Sequence, residues 1–237
     1  MTTLRVGVAL PDPPFNAMPG HGGLDIDVMT ALGEVLAEDI EFVTYDGAEF
    51  DGIFDRLVAG DYDCVISGIT ATPERGQKVA FLPPYVICGQ ALAVDTARLP
   101  GVRSADDLAG LTVGAQRGST SETLAREMVD TGKAAHLKLY DYGAVATAIA
   151  DLVAGSCDAL VKLGPALTAL VKDVPDVEVV AQGLSVEDIA IAVNPSDQRL
   201  LARLQVAQAE LEENGTLQKI RRAWLGKPYV DQSLGAL

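Results

Sequence analysis

A seven-residue pattern occurs twice in the sequence, and this internal repeat restricts the fold more than any other feature. Leu57–Asp63 reads LVAGDYD and Leu152–Asp158 reads LVAGSCD. A helical apolar period precedes each copy, and a short apolar run follows it. Each copy therefore predicts a helix, then a glycine (Gly60 or Gly155) in the left-handed conformation after the helix end, then a buried parallel strand.

The segments upstream of the two copies also match each other. Apolar strand patterns occur at Leu4–Ala9 and Leu111–Ala115, and helix patterns follow at Ile26–Leu36 and Ser121–Val129. Strands that alternate with helices indicate parallel sheets covered on both faces. A chain of 237 residues with 49% apolar side chains can fill two cores, so we predict two similar α/β lobes of roughly 100 residues each.

The C-terminal segment does not continue the repeat. It begins with a strand pattern at Asp188–Val193. Two helices are then predicted by apolar faces at Leu200, Leu204, Ala207 and Leu211, and at Leu217, Ile220 and Trp224. We interpret the mixed charges of these helices as a solvated face: Glu210, Glu212, Glu213, Lys219, Arg221 and Arg222.

Charge and hydropathy exclude several classes of function. The chain carries 33 acidic and 18 basic side chains, a formal net charge of -15, so nucleic-acid or anionic-membrane binding is not expected. No apolar stretch approaches the ~18 residues of a transmembrane helix. Met1–Arg5 lacks the pattern of a secretory signal. A cytoplasmic location and a removed leader both stay open.

Metal and cofactor chemistry is not indicated either. Cys64, Cys88 and Cys157 lie in apolar runs and are predicted to be small buried thiols. There is no C-x-x-C spacing, and His21 and His136 have no cysteine nearby. We therefore predict no metal site and no cofactor.

The first candidate binding segment is the loop Ser67–Arg75, which leaves a predicted strand and opens a helix at Thr72. Ligands of open α/β sheets bind beyond the carboxyl ends of the strands, where this loop must lie. The Arg75 guanidinium, the Thr70 hydroxyl and the backbone N–H groups near Gly68 together match a carboxylate. The alternative is an ordinary helix start with a surface arginine.

A second loop rich in hydrogen-bond donors is Gln116–Glu122. Ser119 and Glu122 have capping-box spacing, which predicts a helix start with exposed N–H groups that favour an anion. The loop has no Walker lysine and no G-x-G-x-x-G, so a nucleotide phosphate is not indicated. A purely structural cap is the alternative.

Short motifs spread along nearly the whole chain occur in an order and spacing typical of one family. They are Gly23–Val28, Phe50–Phe54, Asp63–Arg75, Val79–Tyr85, Ala109–Gly114, Gly118–Thr120, Gly155–Ala159, Glu213–Thr216 and Ala223–Gly226. In these motifs the chain resembles the extracytoplasmic solute-binding proteins of family 3, the type II periplasmic binding proteins that serve polar-amino-acid ABC importers.

The resemblance implies a two-lobed α/β clamshell. Lobe 1 would comprise residues 1–89 and 189–237, and lobe 2 residues 90–188. Two crossing strands near Cys88–Val94 and Asp188–Val193 would form a hinge, and ligand binding would close the cleft.

The resemblance also assigns ligand contacts to both lobes. Arg75 is expected to hold the ligand carboxylate, with help from Thr70 and the backbone at Gly68. The remaining expected contacts are Ser67 near the ligand side chain, Phe50 stacked on the ligand body, and the loop of Ser119 and Thr120 meeting the carboxylate from lobe 2.

Two positions depart from the family pattern. Leu163, which follows Lys162, stands where an acid usually pairs with the ligand ammonium, and a buried ammonium without such a partner costs several kcal/mol. Asp12 stands where an aromatic residue commonly lies over the ligand. Asp12 either supplies the missing negative charge or is a turn residue ahead of two prolines.

Three ligand classes follow from these departures. An Asp12 that enters the cleft suits a zwitterion held differently, a cationic compatible solute or an amidine. An Asp12 outside the cleft suits a carboxylate without an ammonium. In the third case Lys162 turns inward and selects a second acidic group, an arrangement that strand alternation next to Leu163 disfavours.

We therefore predict a monomeric solute-binding receptor of an ABC importer, periplasmic or at the cell surface, that captures a small carboxylate-containing ligand and is not an enzyme. One alternative is an enzyme resembling the cyclohexadienyl dehydratases, with Asp12 or Glu122 as general acid, although neither has a sequence partner that suggests a tuned pKa. The other alternative is a stand-alone ligand-sensing module.

Overall fold

The structure, a computed structural model, describes residues 3–9, 11–16 and 22–227. The chain divides into two compact units. Unit 1 is Met1–Asp46, Ile53–Ile87 and Glu187–Leu237, and unit 2 is Gly47–Gly52 and Cys88–Val186.

Unit 1 contains the N-terminal and C-terminal elements. Its strands are β1 (Thr3–Ala9), β2 (Asp39–Tyr45), β3 (Cys64–Val65), β4 (Ala80–Phe81), β5 (Val86–Cys88), β11 (Glu187–Ile189) and β12 (Ala192–Val193). Its helices are α1 (Leu24–Leu36), α2 (Gly52–Ala59), α3 (Pro73–Gly76), α7 (Gln198–Glu213) and α8 (Thr216–Leu225). The first residue of α2 and the last residue of β5 are counted in unit 2.

Unit 2 contains the middle of the chain. Its strands are β6 (Gln90–Asp95), β7 (Thr112–Gln116), β8 (His136–Tyr140), β9 (Ala159–Leu163) and β10 (Val177–Ala181). Its helices are α4 (Thr120–Asp130), α5 (Val145–Ala154) and α6 (Gly164–Val171).

Within the described residues, each unit has one five-stranded mixed sheet, and the two sheets have equivalent strand orders. In unit 1 the order is β2-β1-β3-β12-β4, with β1 parallel to β2 and β3, and with β12 antiparallel to β3 and β4. In unit 2 the order is β8-β7-β9-β6-β10. Here β7 is parallel to β8 and β9, and β6 is antiparallel to β9 and β10, as in unit 1. The prediction of two similar α/β lobes is confirmed, and the parallel part is three strands in each sheet.

The aspartates that end the two repeats explain why the motif recurs. The Asp63 carboxylate accepts a hydrogen bond from Arg5 N at 2.7 Å, and Asp63 N donates to Arg5 O at 2.8 Å. In unit 2, Asp158 makes the same pair of bonds with Thr112, at 2.9 and 3.0 Å. Each repeat therefore fixes the middle one of the three parallel strands, β1 or β7, against the strand that follows the motif.

The repeated glycines have the conformation that the motif predicts. Gly60 and Gly155 have φ values of +86° and +80°, in the left-handed region that glycine reaches without strain. The chain therefore reverses directly after α2 and α5, and the following residues enter the sheet as β3 and β9.

The core of unit 2 covers both faces of its sheet. Alternate residues of β6 belong to opposite clusters, Leu92 and Val94 to one and Ala91 and Ala93 to the other. This two-sided burial explains why β6 is apolar along most of its length instead of alternating with polar residues.

The three cysteines are free and buried, as predicted. Burial raises the pKa of the Cys64 thiol to about 12, and it also raises the pKa of the Cys157 thiol. These thiols therefore pack as small apolar groups, since the reactive thiolate form is disfavoured.

The C-terminal helices confirm one prediction and correct another. The predicted apolar face of α7 is buried. Arg221, however, does not lie on a solvated face, because only 1% of its surface is exposed. Its guanidinium donates to both carboxylate oxygens of Glu212, at 2.9 and 2.6 Å, and to Tyr85 O at 3.1 Å. This bidentate pairing compensates for the loss of hydration on burial.

The segment Asp188–Val193, predicted as one strand, contains parts of two. β11 pairs with β5 in a two-stranded sheet, whereas β12 lies between β3 and β4 in the sheet of unit 1. Two residues separate the two strands, which allows the chain to change partners.

The segment Gly47–Gly52 belongs to unit 2, although the lobe boundaries predicted from the sequence place it in lobe 1. Two hydrogen bonds hold it there, from Phe50 N to Arg117 O at 3.0 Å and from Tyr142 N to Ala48 O at 2.7 Å. The predicted lobe boundaries and the hinge between the lobes stay predictions. No helix within the described residues is long and apolar enough to span a membrane.

Candidate functional site

Arg75 is held in a buried position at the start of α3. Thr72 caps this short helix by accepting a hydrogen bond from Arg75 N at 3.2 Å. The Arg75 side chain is 7% exposed; its Nη1 donates to Thr70 O at 2.9 Å, and its Cζ lies 5.3 Å from the centroid of the Phe54 ring. The alternative of an ordinary surface arginine is therefore wrong, since the guanidinium is fixed by a carbonyl group and an aromatic face.

Thr70 brings a second charged residue beside Arg75. Its hydroxyl donates to the Glu187 carboxylate at 2.5 Å, and both side chains are buried. Thr70 also forms an isolated antiparallel bridge with Ile189 on β11. Sequence reasoning missed Glu187, because only this pairing brings position 187 next to position 70.

Ser67 and Gly68 connect the same loop to the interior of unit 1. The Ser67 hydroxyl accepts from Ala9 N at 3.0 Å and from Asn16 Nδ2 at 3.1 Å, whereas Gly68 N donates to Asp25 Oδ2 at 2.8 Å. Both residues hold the loop in place from within unit 1. Their expected contacts with a ligand stay predictions.

Asp25 is a buried acid that the sequence analysis did not select as a site residue. Its carboxylate accepts from the Tyr85 hydroxyl at 2.5 Å and from Asn16 Nδ2 at 3.2 Å, in addition to Gly68 N. The pKa of Asp25 is raised from 3.8 to about 7, chiefly by complete burial; the charge of Asp12 contributes to the rise, and the three hydrogen bonds oppose it. The only sequence signal was the position of Asp25 within the motif Gly23–Val28.

Asp12 is the turn residue that one of the two alternatives predicts, and its role as a negative charge for the ligand stays a prediction. Asp12 N donates to Asn16 O at 2.7 Å, and Asn16 N donates to Asp12 O at 2.9 Å, so the backbone closes a turn around Pro13 and Pro14. The residue is only 3% exposed. Asp12 is therefore a turn residue and also a second buried acid near Asp25.

Gly68 should tolerate alanine less well than Gly60. Both residues have positive φ values, +56° and +86°, but a Cβ on Gly68 would lie 3.2 Å from the Phe15 ring, whereas a Cβ on Gly60 would meet nothing within 4 Å. We expect Gly60→Ala to cost about 1–2 kcal/mol of unfolding free energy and Gly68→Ala about 2–3 kcal/mol. Urea denaturation of both variants measures the difference, and equal costs would contradict the crowding argument.

In unit 2, Phe50 packs against Tyr142. The ring centroids are 4.7 Å apart and the ring planes are inclined at 38°. Both side chains are buried. Sequence reasoning found Phe50 from the family resemblance but missed Tyr142, which has no distinguishing local motif.

Lys162 is buried beside this aromatic pair. Its Nζ donates to Gln116 Oε1 at 2.7 Å and lies 5.4 Å from the centroid of the Tyr142 ring. The Gln116 amide in turn donates to Tyr142 O. Both Lys162 and Leu163 are buried, with exposures of 6% and 8%, and selection of a second acidic group by Lys162 stays a prediction.

The loop before α4 forms the predicted helix start. Ser119 accepts from Glu122 N at 3.3 Å and donates to Gln116 O at 2.6 Å. The two oxygens of the Glu122 carboxylate accept from Gly118 N at 2.8 Å and from the Arg126 guanidinium at 2.6 and 2.9 Å. Glu122 is thus held as a capping residue rather than directed outward as a general acid.

Thr120 and Leu163 are connected through Gln90 on β6. Gln90 Nε2 donates to the Thr120 hydroxyl at 3.1 Å, and Gln90 Oε1 accepts from Ser121 Oγ at 2.8 Å. Leu163 stands opposite Gln90 in the sheet register and directly precedes α6. The two expected contact positions therefore lie on neighbouring elements of unit 2.

Among the residues that the structure describes, no group of histidine, cysteine or acidic side chains is arranged to hold a metal ion. His136 begins β8 and is exposed, whereas His21 lies outside the described residues.

Known proteins are similar to this chain in sequence and in structure over most of its length. Residues 4–227 match the family described as bacterial extracellular solute-binding proteins, family 3. The ABC transporter arginine-binding protein 1 of Escherichia coli (strain K12) is 29% identical over 234 residues, which cover 93% of this chain and 90% of that protein.

Solved structures give the same result. An ancestral arginine-binding protein bound to arginine is 35% identical, with a TM-score of 0.86 and coverage of 95% of this chain and 99% of that one. An ancestral arginine-binding protein bound to glutamine is 34% identical, with a TM-score of 0.84 and coverage of 96% and 99%. These relatives are named as binding proteins, which confirms the interpretation of the chain as a binding protein and not an enzyme. The match from residue 4 to residue 227, together with the two mixed sheets, shows that the chain belongs to the bacterial extracellular solute-binding proteins of family 3.

Proposed function

We propose that this protein is the amino-acid receptor of an ABC importer, acting as a monomer in the periplasm or at the cell surface. Its ligand is a small amino acid or amino-acid-like compound whose carboxylate is held by Arg75. Arginine and glutamine are bound by the ancestral relatives, and both carry the carboxylate and ammonium groups that such a receptor would recognise.

The buried guanidinium of Arg75 is the observation that carries this proposal. A buried arginine that is pre-oriented by Thr70 O and the Phe54 ring binds a carboxylate at little further entropic cost. From unit 2, the family resemblance assigns Phe50, Ser119 and Thr120 to the same ligand.

The charged residues near these positions favour different ligand side chains. The buried Lys162 ammonium beside the Phe50–Tyr142 pair favours a neutral or acidic side chain, whereas the buried Asp12 favours a cationic one. A comparison of arginine, glutamine and glutamate therefore reports which of these charges acts on the ligand.

A thermal-shift screen of the purified chain tests the proposal. The library should contain the proteinogenic L-amino acids, betaine-like and ectoine-like solutes, amidines and simple carboxylates. A ligand at ~100 times its dissociation constant adds about 2.7 kcal/mol of stability, which is readily detected. We expect at least one amino acid to raise the melting temperature, and calorimetry should then give a one-to-one complex.

Two other outcomes would replace the proposal. Loss of prephenate or arogenate absorbance on incubation with the protein would indicate the dehydratase alternative. No shift with any compound would contradict an amino-acid receptor and favour a sensing module for another class of ligand.

A further inference from the structure

The C-terminal end of α1 carries negative charge that its own helix does not compensate. Glu34 lies in the last turn, Glu38 follows the helix, and Asp39 begins β2. The carbonyl groups at a helix C-terminus already form the negative end of the helix dipole, where basic side chains are usual. The last turn of α1 contains no basic residue. This end of the helix therefore favours a cation supplied from elsewhere.

Glu38 is buried with only one of its two carboxylate oxygens paired. Its side chain is 8% exposed, and its Oε1 forms an ion pair with Arg203 Nη2 on α7 at 3.0 Å. Its Oε2 has no hydrogen-bond partner among the described residues. A buried carboxylate oxygen without a donor is costly, because it has lost its hydration without gaining a hydrogen bond. A donor carried by a ligand would remove this cost.

An open cavity of about 520 Å³ lies between α1 and β2, and Glu38 lines it. We name it the α1–β2 cavity. Its lining includes the carboxylates of Glu34, Glu38 and Asp39 and an apolar wall of Ile40 and Phe42, and none of the described residues that line it is basic. A cavity of this volume is in the range that holds a small molecule.

The backbone fixes Glu38 beside this cavity. Ala37 N donates to Glu34 O at 3.3 Å, and Glu38 N donates to Gly33 O at 3.0 Å. Ala37 has the left-handed conformation, with φ of +53°, that commonly ends a helix. Glu38 is therefore held at the helix end by main-chain hydrogen bonds and does not depend on a mobile surface loop.

The α1–β2 cavity lies far from the proposed Arg75 site within unit 1. Asp39 pairs with Thr3 at the start of β1, whereas the Ser67 hydroxyl accepts from Ala9 N at the end of the same strand. The cavity and the loop that carries Arg75 are thus separated by the length of β1, about 20 Å.

The charges and the apolar wall together select one class of ligand. An alkylammonium or alkylguanidinium group offers several N–H donors to the carboxylates, and its aliphatic stem can pack on Ile40 and Phe42. A ligand carboxylate would be repelled by the three acids, so free amino acids are disfavoured. A metal ion is not indicated, because no group of histidine, cysteine or acidic side chains in the described part of the chain is arranged to hold one.

We propose that the α1–β2 cavity is a second binding site, for a small alkylamine or alkylguanidine whose cationic group pairs with Glu38. The inference goes beyond the proposed function and does not depend on it, because the ligand needs no carboxylate and does not use Arg75.

The test is an NMR titration with n-butylammonium and n-butylguanidinium, followed through the backbone amide resonances. These probes lack the carboxylate that Arg75 would hold. We expect saturable shifts centred on residues 30–42, and Glu38→Gln should weaken binding about tenfold, because its amide keeps the size of the side chain but not the charge. Glu41→Gln is the matched control: it removes one charge from an exposed residue of β2 outside the cavity lining and should change the affinity less than about twofold.

Two arginines of α7 give a test of opposite sign. Arg203→Gln removes the cation that pairs with Glu38, so the probes should bind about threefold more tightly. Arg199→Gln removes the same charge one helical turn away, from an exposed residue that does not line this cavity. It should leave the affinity within about twofold. A merely structural role of Glu38 would not produce tighter binding in Arg203→Gln.

If Glu38→Gln does not fold, the double variant Glu34→Gln with Asp39→Asn replaces it and should weaken binding about fourfold. Shifts spread over the whole acidic surface, or equal binding of ammonium ion and n-butylammonium, would show only non-specific attraction and overturn the proposal. Wild-type affinity in a folded Glu38→Gln variant would overturn it as well. These outcomes leave the amino-acid receptor untouched, since that function is tested with carboxylate ligands.

Discussion

Replacement of Arg75 by alanine is expected to lower the affinity for the amino-acid ligand by more than about 100-fold, or about 3 kcal/mol, as for other truncations of a buried charge pair. The loss should be specific to the ligand carboxylate, because Arg75 already faces a carbonyl oxygen and an aromatic ring within unit 1. Isothermal titration of the wild type and the variant with the amino acid and its methyl ester measures this. The wild type should reject the ester, and the variant should bind both compounds about equally weakly.

Two further variants isolate the anchor from general effects of charge and packing. Arg75→Lys should also bind weakly, because an ammonium cannot form the bidentate pair of a guanidinium with a carboxylate. Arg56→Ala removes an exposed arginine of α2 that pairs with Asp61 at 2.9 Å, and it should leave the affinity unchanged. An affinity within tenfold of wild type for a folded Arg75→Ala variant would place the carboxylate elsewhere.

Replacement of Asp25 by asparagine is expected to remove a large pH-dependent contribution to stability. The pKa of Asp25 rises from 3.8 to about 7 on folding, chiefly because the carboxyl is completely buried. Between these values the folded protein keeps a proton that the unfolded chain releases, so the contribution is present in full below pH ~4 and is lost as the pH rises through 7. At about 1.4 kcal/mol per pKa unit the total is roughly 4 kcal/mol.

The amide resembles the protonated acid and has no charge to bury, so it should be insensitive to pH. Its oxygen is expected to accept from Gly68 N, and its NH₂ group to donate to the Tyr85 hydroxyl. Urea denaturation between pH 4 and pH 8 should therefore show the stability of Asp25→Asn rising relative to wild type by about 3–4 kcal/mol. The exposed Asp39→Asn on β2 is the control. Parallel pH profiles for wild type and Asp25→Asn would contradict the assigned pKa.

The buried acids and cations of this protein show where sequence reasoning stopped. Arg221 lies in a pattern that favours solvent exposure and Lys162 is a charged residue in an apolar strand, yet both are buried, because Glu212 and Gln116 supply hydrogen-bond acceptors from other elements. The partners of a charged side chain decide its burial. Gln116 is 46 residues from Lys162, and Glu212 lies on a different helix from Arg221, so no pattern within one element indicates these partners.

Local periodicity and the repeat were sufficient for the architecture. The repeated Gly60 and Gly155 determine how α2 and α5 end, and the apolar runs after them can only be buried strands. The helix start at Thr72 and Arg75 follows from cap chemistry within a few residues. These features are local, because each depends on neighbouring φ and ψ values and on which face of one element is apolar.

The sequence by itself thus determined two α/β units, the loop that carries Arg75, and the absence of an acid at Leu163. Only the tertiary structure decided which groups surround that loop. Strand pairing brings Glu187 to Thr70, and the packing of α1 brings Asp25 to Gly68. Both pairs join residues far apart in the chain, so their proximity and the raised pKa of Asp25 depend on sheet register and burial, which exist only once the chain has folded.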